Sequence, residues 1–498
     1  MKLWNLTAQT AFATVFLAAT VQAQVTPEQV WQNWQKLGAT FGQALVADQV
    51  VRSGDTLVVS GMAMAIDQED IRMNGTLEEV RFRDLGDGTV EVTMSDTSRI
   101  KLLPLENGAS AETLDLVLTK PGLRLVAGGS ATQTSYTLDA PTIGLTAQSR
   151  AGNTTIADVT ATLTGLVGTY LLTSAGDVTS FSTALDAQTM AFSVKAQSPM
   201  NTVDASGTMA AVKIGTSGDF LGLDAMEDLA SALKNGLNST SDFSHGAGSF
   251  AFNGTENGKN TRISATNEAG RVNFAIDDQR LTYGLGSTGV TLTATGDDIP
   301  VPEAMISYGE ATVDFMIPVA ASDTPMEFSL VTRIVDLVLP DVVWGMVDPT
   351  ATLPRDPATL IVETFGTATL ANDLLDEAAI AAAGDAPMGE LNSLEVATLT
   401  ARAAGVELTG TGAFTFDNGD LVTFDGIPAP TGQMNLVLTG GNGLLDRLVA
   451  MGLIPQDQAM FARMMVAMVA KPGVGEDVLN SSIEFRDKSI YANGQRLK

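Results

Sequence analysis

The run EEVRFRDLGDGTVEVTM, residues 78–94, alternates apolar and polar side chains on both sides of a turn. Arg81 separates Val80 from Phe82, Glu91 and Thr93 separate Val90, Val92 and Met94, and Asp87-Gly88 lies between the two halves. A period of two sends every second side chain to one face of a strand, and Asp-Gly is a turn signal, so the stretch predicts a hairpin with one buried face. The pattern recurs at Leu114, Leu116 and Leu118, then Lys120-Pro121-Gly122, then Leu123 and Leu125. It returns in RISATNEAGRVNFAIDDQRLTYGL and GVELTGTGAFTFDNGDLVTFDG. So many successive hairpins predict a mainly β fold, with long curved antiparallel sheets, a few amphipathic helices, and two lobes in an extended body.

Helical spacing interrupts this in a few places. In TPEQVWQNWQKLGATFGQALV, Thr26 and Gln29 have capping-box spacing, Pro27 suits the first turn, and Val30, Trp34, Leu37, Phe41 and Leu45 form one apolar stripe. This predicts a leading helix over 27–46. LDAMEDLASALKNGL predicts a closing helix over 223–237, with Asp224 as its cap, Met226, Leu229 and Leu233 on one face, and Gly236 near its end. AAIAAAGDAPMGE predicts a short helix followed by a linker. The polar stretch NSTSDFSHGAGS, 238–249, is rich in turn formers and is taken as the boundary between an N-terminal lobe, 24–240, and a C-terminal lobe, 241–498.

GLLDRLVAMGLIPQDQAMFARMMVAMVAKPG, from Gly443 to Gly473, carries five methionines. Gly452 and Pro455 divide it, so a helical hairpin is expected over 443–470. With Arg463 breaking the apolar run, it is too short to cross a bilayer. Met460, Met464 and Met468 line one side, and Phe461, Met465 and Val469 the adjacent one. Methionine serves as core filler, the leading reading here, and also as a soft surface for apolar ligands.

The N-terminus has the grammar of a cleaved export signal over 1–23: Lys2, an apolar stretch from Ala11 to Ala19, and Val21-Gln22-Ala23, with cleavage expected after Ala23. A periplasmic location follows, with no transmembrane segment in the mature chain. The absence of cysteine excludes disulfides, thiol nucleophiles and an acylated cysteine. The net charge of −29, which becomes −30 when Lys2 leaves with the signal, repels phosphate backbones and argues against nucleic acid partners.

No catalytic, cofactor-binding or metal-binding set is predicted. His245 is the one histidine and sits in a turn-rich stretch, so an exposed loop position is expected. Asp277-Asp278, Asp297-Asp298 and DNGD at 417–420 read as turn chemistry rather than paired acids or a calcium loop. The candidate apolar ligand contacts are Trp31, Trp34, Met460, Met464, Met465 and Met468, with packing as the competing reading for the tryptophans.

TPEQVWQNWQKLG, SGDTLVVSGMAMAI, RFRDLGDGTVEVTM, WGMVDPTATLPRDPATL and the terminal block from GLLDRLVAMGLIPQDQ to SIEFRDKSIYANGQRL together resemble the alphaproteobacterial domain-of-unknown-function family 2125. The resemblance spans essentially the mature chain and implies an exported, strand-rich envelope protein with no assigned catalytic residues. The closing pattern is also similar to AsmA-like periplasmic β-rich proteins, some of them tied to envelope lipid traffic. The expected function is a periplasmic, non-enzymatic protein that binds an apolar or lipid-like ligand in cell-envelope upkeep. The alternative is a structural or interaction module, an envelope assembly factor or surface component, with a solid core and an envelope protein partner.

Overall fold

The computed structural model describes residues 24–40, 44–68, 71–104, 113–130, 132–151, 154–176, 178–198, 200–222, 225, 228–384 and 386–497. The expected signal over 1–23, Phe41, Asp224 and Met226 lie outside the described residues. The chain is mainly β and antiparallel. Six helices occur among the described residues: α1 Pro27–Thr40, α2 Leu229–Lys234, α3 Asp341–Val347, α4 Glu377–Ala383, α5 Gly441–Ala450 and α6 Gln456–Val469. There are two compact units, the first comprising residues to Ala265 with Gly296–Asp298, the second Thr266–Thr295 with Ile299–Lys498.

The first unit is a meander whose apolar face is sealed around α1. Direct cross-strand partners run Leu57, Phe82, Val92, Leu125, Leu138, Gly168, Leu185 and Ile214, one residue from each of eight strands. Opposed residues share a face, so this row and its neighbours make one apolar surface, the one expected from the Val80/Phe82 and Val90/Val92 alternation. α1 lies on it: Trp34 meets the Phe82 ring edge-on at 5.2 Å and Trp31 lies 6.2 Å from it. Val30 of the helix and Val59, Val80, Phe82, Val90 and Val92 of the sheet are fully buried. The capping box forms in both directions, with Thr26 N donating to Gln29 Oε1 (2.9 Å) and Gln29 N to Thr26 Oγ1 (3.3 Å), and Arg52 pairs with Glu28 at 2.9 Å.

Three boundaries differ from expectation. α1 stops at Thr40, and Ala44–Val46 is a strand paired with Ala63–Ala65. Leu45 is buried as expected, but a single apolar residue fits a strand period as readily as a helical one, and Gly38 weakens the helix near its end. α2 starts at Leu229, where Asp228 accepts from Ser231 N; Gly236 follows it in the left-handed region as expected. The stretch 238–249 is not a linker. Asn238–His245 and Gly248–Glu256 are strands laid end to end along Asn201–Phe220. Serine and threonine read as turn formers, yet they serve a polar strand well once a neighbouring ladder satisfies the backbone.

In the second unit each long strand pairs with the next in sequence, from Arg280–Gly296 through Ala304–Pro318, Met326–Leu337, Ala358–Leu370, Gly389–Ala403, Val406–Asp417 and Ala429–Thr439 to Val478–Arg486. α3 and the α5–α6 hairpin are inserted at the same end of this sheet, because Leu337 and Ala358 open onto one and Thr439 and Val478 onto the other, with the 403–406 turn between them. The fully buried Asp348 holds the loop after α3, accepting from Thr352 N (2.9 Å) and Leu353 N (2.7 Å).

Candidate apolar site of the second unit

Strand register divides the side chains of the second unit between two chemically different faces. On one, direct partners run Tyr283, Phe315, Leu330, Thr364, Val396, Gly412, Met434 and Ile483. A parallel row runs Phe328, Gly366, Leu394, Phe414, Gly432 and Phe485, and a third Ile334, Leu360, Ala401, Leu408, Leu438 and Leu479. Glycines sit opposite bulky partners for a steric reason. A Cβ on Gly366 would lie 2.5 Å from Phe328 Cζ, and one on Gly412 would lie 2.6 Å from Met434 Sδ, so the large side chains lean across bare backbone. Tyr283 and Phe315 stack obliquely at 5.7 Å, and Phe414 meets Phe485 edge-on at 5.9 Å.

This surface is apolar from strand to strand without being sealed. Leu285, Val313, Leu330 and Leu360 remain 40% to 48% exposed, and the aromatic residues of the face are half-buried. A contiguous apolar surface left open to water is costly for a protein to keep.

The α5–α6 hairpin stands at one end of this face. Gly440 starts α5 in the left-handed region (φ 79°), where a Cβ would lie 2.2 Å from Gly405 O, so only glycine fits. Asp477 reaches back to accept from Gly443 N (2.9 Å) and Asn442 N (3.2 Å). Burial opposes its ionisation, but the Gly443 and Asn442 donors, with Arg463 nearby, more than offset that and hold the carboxyl below its usual range. α6 is anchored at its C-terminus, where Ser481 Oγ, on the apolar face, donates to Val469 O at 2.6 Å and Asn493 Nδ2 donates to the same carbonyl at 2.8 Å. Ala459 is buried, and Arg463 turns inward to Asp446 (2.6 Å) and Asn442.

With those residues inward, Met460, Phe461, Met464, Met465 and Met468 point out, each 44% to 66% exposed. The methionines are therefore not core filler, the reading favoured from sequence. Ala459 and Arg463 claim the packed side, because arginine here finds its acceptors within the hairpin rather than in water. Trp31 and Trp34 are placed in the first unit's core, where Trp31 is 6% exposed and Tyr136 and Phe82 surround the pair. The six candidate contacts thus divide between the units, Trp31 and Trp34 in the first and Met460, Met464, Met465 and Met468 in the second.

The other face of the second unit's sheet is polar. Arg333 pairs with Glu363 and lies 3.7 Å from Glu310. The Thr398 hydroxyl first (2.7 Å), then Arg333, hold the Glu363 carboxyl below its usual range. A depression of about 630 Å³ lies here; the row Met316, Ser329, Phe365, Glu395 and Ala413 crosses it, beside Glu327, Thr367, Ser393 and Thr415.

The acidic pairs behave as turn chemistry. Asp277 Oδ1 accepts from Gln279 N and Arg280 N at 2.8 Å, Asp297 accepts from Asn260 N (2.7 Å), and Asp298 pairs with Lys259 at 2.5 Å. In DNGD, Asp420 accepts from Lys488 (2.6 Å) and from Thr423 N and Oγ1, and Lys488 foremost drives its carboxyl far below the usual range. His245 ends a strand, half-buried, with Nδ1 2.8 Å from Gly246 O and its ring 5.9 Å from Phe243, rather than lying in an exposed loop. Among the described residues no cluster of three or more histidine, aspartate or glutamate side chains could hold a metal, and no helix is long and apolar enough to cross a membrane.

A family model described as "Uncharacterized protein conserved in bacteria (DUF2125)" matches residues 248–497, a span that contains the open apolar face and the α5–α6 hairpin. No curated protein and no solved structure matches the chain.

Proposed function

The chain belongs to the DUF2125 family of uncharacterised bacterial proteins, and from that premise we propose that it is an exported, periplasmic, non-enzymatic protein that holds an apolar, lipid-like ligand against the open face of its second unit. One observation carries the reading: the apolar rows crossing the second unit's strands, with Leu285, Val313, Leu330 and Leu360 still 40% to 48% exposed. A lipid chain is long, apolar and without directional bonding, which suits a face dominated by Leu, Val, Phe and Met side chains with few polar groups such as Thr332 and Thr364 among them. Export is supported by Lys2, the Ala11–Ala19 stretch and Val21-Gln22-Ala23.

Organic extraction of the natively purified protein followed by mass spectrometry tests this. The expected result is stoichiometric lipid or another long apolar molecule, lost in a Leu330→Glu/Leu360→Glu variant; a reproducibly empty protein that ignores added lipid overturns it. The polar-face depression favours a second reading, an interaction module with an envelope protein partner, since Phe365 is 42% exposed between carboxylates there. Crosslinking in cells from that face separates the two, because only the second requires a stoichiometric protein partner.

A further inference from the structure

We propose that the guanidinium of Arg447, on α5, seats the anionic headgroup, carboxylate or phosphate, of an alkyl chain lying on the open face of the second unit. The inference rests on the ligand reading above and adds the class of ligand, an anionic amphiphile rather than a neutral oil.

Arg447 is an exception among the arginines. Arg333, Arg447 and Arg463 are the half-buried ones among the described residues. Arg333 turns its Nε and Nη2 to Glu363, and Arg463 turns the same edge to Asn442 and Asp446. Among the described residues, Arg447 has no acceptor for any of its side-chain N–H groups. Its Nη1 is closed to water while Nε and Nη2 are not, so the edge left open is the one that the other two arginines set on carboxylates. With 57 acidic against 28 basic residues in the chain, this guanidinium does not go unpaired for want of acids. A partly desolvated cation without a counter-charge is costly, and an incoming anion offsets that cost.

The open edge is held in place beforehand. A Cβ on Gly405 would lie 3.2 Å from Arg447 Nη1 and 2.9 Å from Pro354 Cγ, and one on Gly443 would lie 3.9 Å from both Nη1 and Nη2. The guanidinium therefore lies where α5, the 403–406 turn and the loop after α3 meet. Asp348 pins that loop by accepting from Leu353 N, next to Pro354, and Asp477 pins the start of α5 by accepting from Gly443 N. Both carboxylates spend themselves on backbone donors rather than on Arg447. A donor edge fixed in advance spares binding part of the cost of ordering the side chain.

Its place suits an amphiphile. A Cβ on Gly441 would lie 2.8 Å from Leu438 Cδ2, so α5 begins on the apolar row that contains Leu360, Ala401, Leu408 and Leu438. The turn beside Arg447 joins the strands of Ala401 and Leu408. An alkyl chain laid along the strands over these rows thus brings its headgroup to Arg447. The net charge of −29 repels a free anion, so burial of the alkyl chain has to deliver it, and the guanidinium then decides which end of the ligand lies at α5.

The test is calorimetric titration of the protein from residue 24 onward with dodecyl phosphate, dodecanoate and dodecanol. The wild type is expected to bind both anionic probes about tenfold or more tightly than dodecanol. Arg447→Met is expected to lose that preference while its affinity for dodecanol stays within about twofold and its circular dichroism spectrum is unchanged. If Arg447→Met unfolds, Arg447→Gln carries the same comparison. Equal affinity of the wild type for charged and uncharged probes, or a preference that survives the substitution, overturns this inference and leaves the ligand reading standing. No binding of any of the three probes overturns both. Inorganic phosphate bound as tightly as dodecyl phosphate also overturns it, for that assigns the guanidinium to a free anion. So does a photo-crosslinker at the exposed Ala450, one turn along α5, that traps a protein in place of a lipid in cells, for that assigns it to a partner's carboxylate.

Discussion

Both units build a meandering antiparallel sheet with one apolar face, and they treat that face in opposite ways. In the first, α1 lies across it, two tryptophans meet Phe82, and Val59, Val80, Val90 and Val92 are lost to solvent entirely. In the second, α3 and the α5–α6 hairpin stand at one end of the sheet, the strand rows remain part-exposed, and the largest apolar helix face points away from the protein. The difference teaches that an alternating strand pattern specifies a face and not its fate. What seals a face is a separate element, and its own register decides which of its side chains go inward.

The comparison breaks most readily at Phe82. Phe82→Ala should remove about 3–5 kcal/mol of unfolding free energy by leaving a cavity under α1, whereas Leu330→Ala on the open face should cost about 1 kcal/mol or less; urea unfolding followed by Trp31 and Trp34 fluorescence measures the first, and circular dichroism the second. Equal losses would show that both faces are sealed. Next in size is Lys120, buried in the first unit, whose ammonium burial pulls down to about 8 against the opposing pull of Asp96. Between that value and the unfolded value of about 10.4 the unfolded chain binds the extra proton, so folding stability gains with rising pH across this window. The gain should approach about 3 kcal/mol, seen as a pH slope in denaturation midpoints that the Lys120→Met variant lacks.

The hairpin sharpens the comparison from within one helix. Ala459→Leu should overpack the anchored side of α6 and cost about 1–3 kcal/mol, while Met464→Gln, one turn along on the outer side, should change stability by no more than about 0.5 kcal/mol. Thermal unfolding of the two variants side by side decides whether α6 has an inside and an outside as described.

Much of the first unit was legible because its period of two is clean. Val80, Phe82, Val90 and Val92 read as one buried face from four residues, and the Thr26/Gln29 cap needed only its spacing. The stretch 238–249 was opaque because Ser, Thr, Asn and Gly satisfy a polar strand and a loop equally, and only the neighbouring ladder of Asn201–Phe220 decides between them. The open face of the second unit was visible strand by strand in Leu408, Phe414, Phe274 and Tyr283; that it stays part-exposed was not, since coverage depends on elements distant in sequence. Similarly, the spacing of Met460, Met464 and Met468 announced a stripe, but its direction hung on Arg463, which a sequence reader assigns to water and the fold assigns to Asp446 and Asn442.

The outward methionines carry a consequence for chemistry in an oxidising setting. Peroxide reaches the sulfurs of Met460, Met464, Met465 and Met468 ahead of those of Met62 and Met64, which pack against the first unit's core. Each sulfoxide replaces an apolar thioether with a strongly polar group while leaving the backbone of α6 anchored. Oxidation would thus convert this surface from oily to wet without unfolding it, and reductase repair would restore it.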